Sequence, residues 1–160
     1  MTLTAYGRDD GGYLLHGNEL AIGWVEGRAV GFRGFATREH ALDAARVGHR
    51  ALRSWLERER HAAPIGETAG ALRTRRDGRL HWITVDGSPV GRLVDPDTHA
   101  PVTASSFGFE FLLPPSVNSV GGLSAAQVIW HALRRTDDGD MVARLFTERG
   151  AAGERAAGAQ

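Results

Sequence analysis

The side chains with the most chemical potential in this sequence are four bases within a short span: Arg76, Arg79, His81 and Arg92. Arginine presents a planar fork of donors that suits bidentate contact with guanine edges or phosphate. Strands that carry such residues can enter a major groove. The competing reading is a solvated outer sheet face, or an ion-paired contact with an acidic partner. Other candidate chemistry is thinner. Asp95, Asp97 and His99 alternate as carboxylate–imidazole metal ligands on an extended loop would, but Asp-Pro-Asp is ordinary turn chemistry. Asp137, Asp138 and Asp140 lack the spacing and the closing Glu of a calcium loop. The histidines form no HExxH-type pair, and Ser124, in Gly-Leu-Ser-Ala-Ala, sits in no nucleophile elbow. The glycine-rich stretch Gly31–Gly34 has no phosphate-loop lysine. Glu110 could serve as an acid or base, but no partner is identifiable. No catalytic residue, metal ligand or cofactor is assigned, and the expectation leans away from an enzyme.

The bases belong to a meander that the chain writes twice. Gly17-Asn18 and Glu26-Gly27 bracket Glu19–Val25, and the layout returns as Asp77-Gly78, Arg79–Val85 and Asp86-Gly87. Such pairs are hairpin signals, because two-residue loops demand positive φ that Gly, Asn and Asp tolerate. In the first copy, residues 1–12 read as a lead-in, followed by strands Tyr13–His16, Glu19–Val25 and Arg28–Phe35. Pairing His16 with Glu19, and Val25 with Arg28, puts Leu14, Ala21, Val25, Val30 and Phe32 on one face. Tyr13, Leu15, Leu20, Ile22 and Trp24 fall on the other. Both faces are apolar, so each needs a cover, and Leu14, Val30 and Phe32 are the candidate interface residues. Thr37 is an N-cap for a helix from Arg38 to Glu59, with Ala41, Ala45, Gly48, Leu52, Trp55 and Leu56 on one stripe. His49 flanks that stripe.

The second copy predicts strands Leu72–Arg76, Arg79–Val85 and Ser88–Val94. The same register puts Leu80, Trp82 and Leu93 on one face, and Arg76, Arg79, His81, Ile83, Val90 and Arg92 on the other. A polar loop, Asp95–Ser105, leads to a fourth strand, Ser106–Leu113, in which Phe107, Phe109 and Phe111 alternate with Gly108 and Glu110. Ser124 with Gln127 makes a capping box for a helix reaching Arg135, and a short strand is expected over Met141–Thr147. The fold class is α+β: two antiparallel βββα-like halves related by an internal pseudo-repeat, the second with an inserted strand and long loop. The halves span residues 1–62 and 71–149, joined by a connector over 63–70 and followed by a disordered tail over 150–160.

Composition narrows the function classes. Nineteen basic residues balance nineteen acidic ones, so no global field draws in polyanions. All the basic residues are Arg, which codon bias in a GC-rich genome explains more readily than selection for planar donors. Absence of cysteine excludes disulfides and thiolate sites and fits a reducing cytoplasm. No apolar run reaches membrane-spanning length, so no membrane partner is expected.

The order of residues 17–56, with Phe35-Ala36-Thr37-Arg38-Glu39-His40-Ala41 leading into an amphipathic helix, resembles the arm-type (AP2-like) DNA-binding domains of tyrosine integrases. It is equally similar to other small strand–strand–helix modules of bacterial proteins with no assigned role. The integrase resemblance implies a three-stranded sheet laid in the DNA major groove. Residues 17–56 have no basic sheet face, so only Arg76, Arg79 and Arg92, from the second copy, are offered as contacts. The leading expectation is a non-enzymatic binding module that contacts DNA through the second half's basic face. The alternative is a protein–protein interaction or scaffold protein, docking a partner or a second copy through the first half's apolar face. A small-molecule binder or enzyme built on the 95–122 loops comes third.

Overall fold

The computed structural model describes residues 3–17, 20–59, 72–96, 98, 101–102 and 106–135. The expected connector, the Met141–Thr147 strand, the tail, and Asp97, His99, Asp137, Asp138 and Asp140 lie outside the described residues. Elements run in the order β1 (Leu3–Gly7), β2 (Tyr13–Gly17), β3 (Leu20–Glu26), β4 (Ala29–Phe35), α1 (Arg38–Arg58), β5 (Arg73–Asp77), β6 (Leu80–Val85), β7 (Ser88–Val94), β8 (Phe107–Leu112) and α2 (Ser119–Leu133). The protein is α+β, as its strand and helix patterns predict. Its strands form one eight-stranded antiparallel sheet in the order β1-β2-β3-β4-β8-β7-β6-β5. β8 lies between β4 and β7, pairing Phe111 with Val30 and Gly91, and Phe109 with Phe32 and Leu93. Its aromatic side thereby completes one hydrophobic layer rather than two.

Both helices cover that layer. α1 packs on β8, β4 and β7, α2 packs on β3, β4 and β1, and the helices pack on each other. Gly48 lets α1 approach closely, since a Cβ there would meet Ile129 of α2 and the Phe109 ring. The α1 stripe is buried as its spacing predicts, and Thr37 Oγ1 accepts from the His40 backbone N–H at 3.1 Å. α2 differs. Its N-cap is Asn118, whose Oδ1 accepts from Gly121 N–H at 2.8 Å, and Ser124 lies within the helix. The helix runs through Gly121 and Gly122 despite their low propensity, and glycine suits position 122 because a Cβ there would overlap Val25 beneath it.

Two features overturn the expected side-chain faces. Residues 3–7 form an additional edge strand rather than a lead-in, and each meander contains a β-bulge. In β2–β3, His16 pairs with Ala21 but Leu15 pairs with Gly23, leaving Ile22 as the extra residue. In β6–β7, Thr84 pairs with Pro89 but Ile83 pairs with Gly91, leaving Val90 extra. A single inserted residue reverses every face beyond it. Leu15 therefore joins Val25, Val30 and Phe32 in the helix-covered core, while Leu14 joins Trp24 on the opposite side. The turns are also offset. The loop joining β3 to β4 is Gly27-Arg28, and the loop joining β5 to β6 is Gly78-Arg79. Gly27 and Gly78 carry φ of 57° and 60° at the first loop position, a conformation that favours glycine and that Asp86 also adopts in its own turn, at 50°. The Asp86-Gly87 loop falls where the sequence predicts it.

Candidate functional site

The bulge in β6–β7 divides the expected basic patch. Arg76 pairs with His81, and both lie on the helix side. His81 is half-buried, and its pKa is lowered by burial and by Arg38 and Arg76, against the opposing effect of Asp95. Arg92 pairs instead with Trp82 and faces away from the helices. Arg79 is in the β5–β6 turn. The four residues therefore form no single face. The candidate interface residues also separate: Val30 and Phe32 are buried under the helices, whereas Leu14 is half-buried on the other side.

What the fold assembles is a basic hairpin. Every residue of β5 is exposed, because this edge strand extends past the cover provided by the helices. It brings Arg73, Arg75 and Arg76 together, with Arg79 exposed at the adjoining turn. Arg73 and Arg75 oppose Thr84 and Trp82, and Arg76 opposes His81, so cations project from both sides of one two-stranded ribbon. None of the four makes an ion pair among the described residues. Arg73 and Arg75 were missed by the face argument, although Arg73-Thr-Arg75-Arg76 was the available signal.

A second assembly occupies the uncovered sheet face. Register places Tyr6, Leu14, Trp24, Gly31, Glu110, Arg92, Trp82 and Arg75 in one row across all eight strands. Trp24 donates its indole N–H to Glu110 Oε2 at 2.6 Å. To do so, its ring crosses Gly31, where a Cβ would collide with the indole. Arg92 Nε donates to Glu110 Oε1 at 3.0 Å. Glu110, without a partner in sequence, is thus held by two groups from different strands.

Beside this network, Leu80, Trp82, Pro89, Arg92, Glu110 and Leu112 line an open concavity of about 460 Å³. Elsewhere on the same sheet face, Arg33 pairs with Gly108 and is fully buried. Arg33 Nη1 donates to Val102 O at 3.0 Å, and Nη2 donates to Asp95 O at 2.9 Å and Ser106 O at 2.6 Å. These bonds fasten the loop after β7 over Trp24, where Val94 and Val102 pack. The loop begins as a turn, with Thr98 N–H bonded to Asp95 O and Asp95 N–H to Thr98 Oγ1. The Asp95 carboxylate accepts from Arg38 Nη2 at 3.1 Å, and no cluster of potential metal ligands occurs among the described residues. No helix of the described residues is long and apolar enough to cross a membrane.

Comparison with known proteins adds no relative: no family model, curated protein or solved structure matches this chain.

Proposed function

We propose that the protein is a non-enzymatic binding module whose β5–β6 hairpin contacts the phosphates of duplex nucleic acid. The observation that carries this reading is the exposed ribbon of Arg73, Arg75, Arg76 and Arg79, none of which is neutralised by a described acid. A two-stranded ribbon fits a major groove, and guanidinium groups form bidentate contacts with phosphate. Arg92 lies on β7, outside this ribbon, with its charge offset by Glu110, and His81 is half-buried on the helix side of β6. The AP2-like resemblance agrees in kind, since strands rather than a helix would make the contact. We further propose that the two halves are copies. Laying Gly27 on Gly87 superposes the spans of β2, β3 and β4 on those of β5, β6 and β7 to within one residue.

Binding of a short duplex DNA, followed as a function of salt, tests the functional proposal. If all four arginines meet phosphates, log K falls against log salt with a slope near −3.6, about −0.9 per contact. Replacing Arg73, Arg75, Arg76 and Arg79 by Gln removes most of that slope, whereas Arg92→Gln leaves it intact. Equal binding by wild type and the fourfold variant ends the proposal. The arginines would then serve only to guard an exposed edge strand against pairing with other chains.

A further inference from the structure

The concavity on the uncovered sheet face is independent of the hairpin contact and has a chemistry of its own. Its walls are apolar: Leu80 and Leu112 are exposed there at 41% and 48%, with Trp82, Pro89 and Ala29 completing the lining. Large aliphatic side chains exposed together around a hollow are unusual on a monomer surface and mark a place where apolar matter binds. The volume of about 460 Å³ falls within the range of small-molecule sites.

The polar groups at this hollow are unbalanced. Glu110 is its acceptor, and both carboxylate oxygens are taken, one by Trp24 and one by Arg92. Arg92 spends only Nε on that bond. Its two terminal NH2 groups have no acceptor among the described residues, and neither does the Trp82 indole N–H. Glu110 therefore works as an orienting group: it fixes the plane of the guanidinium and leaves the outer fork unoccupied. Arg75, opposite Trp82 on β5, adds a second cation next to the rim. With Glu110 offset by Arg92, the surroundings carry a net positive charge. A site with apolar walls, unoccupied donors and its one carboxylate already held by two donors favours a ligand with an apolar body and one anionic head.

We infer that this hollow is a binding site for a small amphipathic carboxylic acid, whose carboxylate engages the Arg92 fork while its apolar body lies against Trp82, Leu80 and Leu112. A neutral ligand of the same shape would bury the same surface but leave the fork unpaired.

Decanoate and its neutral counterpart decanol are the probes, titrated into the full chain and followed by tryptophan emission and calorimetry. Decanoate is expected to bind saturably below about 1 mM and about tenfold or more tightly than decanol. Trp82→Phe should abolish the emission change while calorimetry still detects binding. Arg92→Gln should bring the two affinities together. Leu112→Glu, at an exposed position that leaves the core intact, should eliminate decanoate binding by placing a like charge on the rim. This variant decides the matter alone if Arg92→Gln fails to fold. Replacing Arg73, Arg76 and Arg79 by Gln should leave decanoate binding unchanged, which separates this site from the hairpin. The inference is overturned by any of three results: no saturable binding of decanoate, equal affinity for decanoate and decanol in the wild type, or undiminished decanoate binding in Leu112→Glu.

Discussion

At the scale of single residues, three buried positions do work that their sequence neighbours do not announce. Arg33 lies in a strand otherwise made of alanine, valine, glycine and phenylalanine, yet it is fully buried and binds three backbone carbonyls. Charge-assisted hydrogen bonds contribute about 1.5–3 kcal/mol each, and their loss strands the acceptors. Arg33→Met should therefore cost about 3 kcal/mol in denaturant unfolding and raise amide exchange at Val94 and Val102. His49 is the second case. It packs with its ring centroid 5.8 Å from that of Phe111, and burial, with Arg53 nearby, lowers its pKa to about 4. Because the folded state resists protonation while the unfolded state takes a proton near 6.5, stability falls as pH drops below about 6.5 and continues to fall to about 4. The loss over that window is roughly 3 kcal/mol. Urea midpoints at pH 7 and pH 4 measure it, and His49→Leu should flatten that part of the profile. Gly31 is the third. Gly31→Ala would push the Trp24 indole away from Glu110, which should red-shift tryptophan emission and cost about 1–3 kcal/mol through overpacking.

At the scale of elements, caps and bulges separate what was legible from what was not. The α1 boundary was legible because Thr37 precedes a clean periodic stripe. The α2 boundary was not, because Ser124 and Gln127 imitate a capping box inside a helix that begins five residues earlier, at Ser119. Asn118→Ala should therefore destabilise the protein by about 1 kcal/mol while Ser124→Ala stays near neutral, a difference that thermal melts of both variants would reveal. Apart from β1, which was read as a lead-in, strand positions were read to within about a residue, because turn chemistry is local. Side-chain facing was not, since it depends on counting every residue between turns. Ile22 and Val90 are ordinary strand residues, and nothing in their type marks them as bulged. Pro89 was the one available hint, as proline within a strand favours a bulge or an edge. The consequence reaches the candidate sites. Arg92 moved to the opposite face from His81, which dissolved the expected patch and created the Trp24–Glu110–Arg92 network.

At the scale of the whole molecule, β4 and β8 join residues 3–58 to residues 72–133 through one sheet and one core. Val30 and Phe32 lose Phe111 and Phe109 if the second half is removed. Unfolding should consequently be a single transition, with far-ultraviolet dichroism and tryptophan emission coincident in denaturant titrations; separate transitions would mean that the halves fold independently. Sequence alone determined the α+β class, the spans of β2 to β8 to within a residue and the apolar stripe of α1, because each rests on contacts between residues close in the chain. It also offered Arg76, Arg79, His81 and Arg92 as a potential contact, without Arg73 and Arg75. Only the tertiary structure decided that the strands form one sheet, that both helices share one face, and that Glu110 meets Trp24 and Arg92. Those outcomes depend on pairings between distant residues, and a bulge of one residue is enough to reverse them.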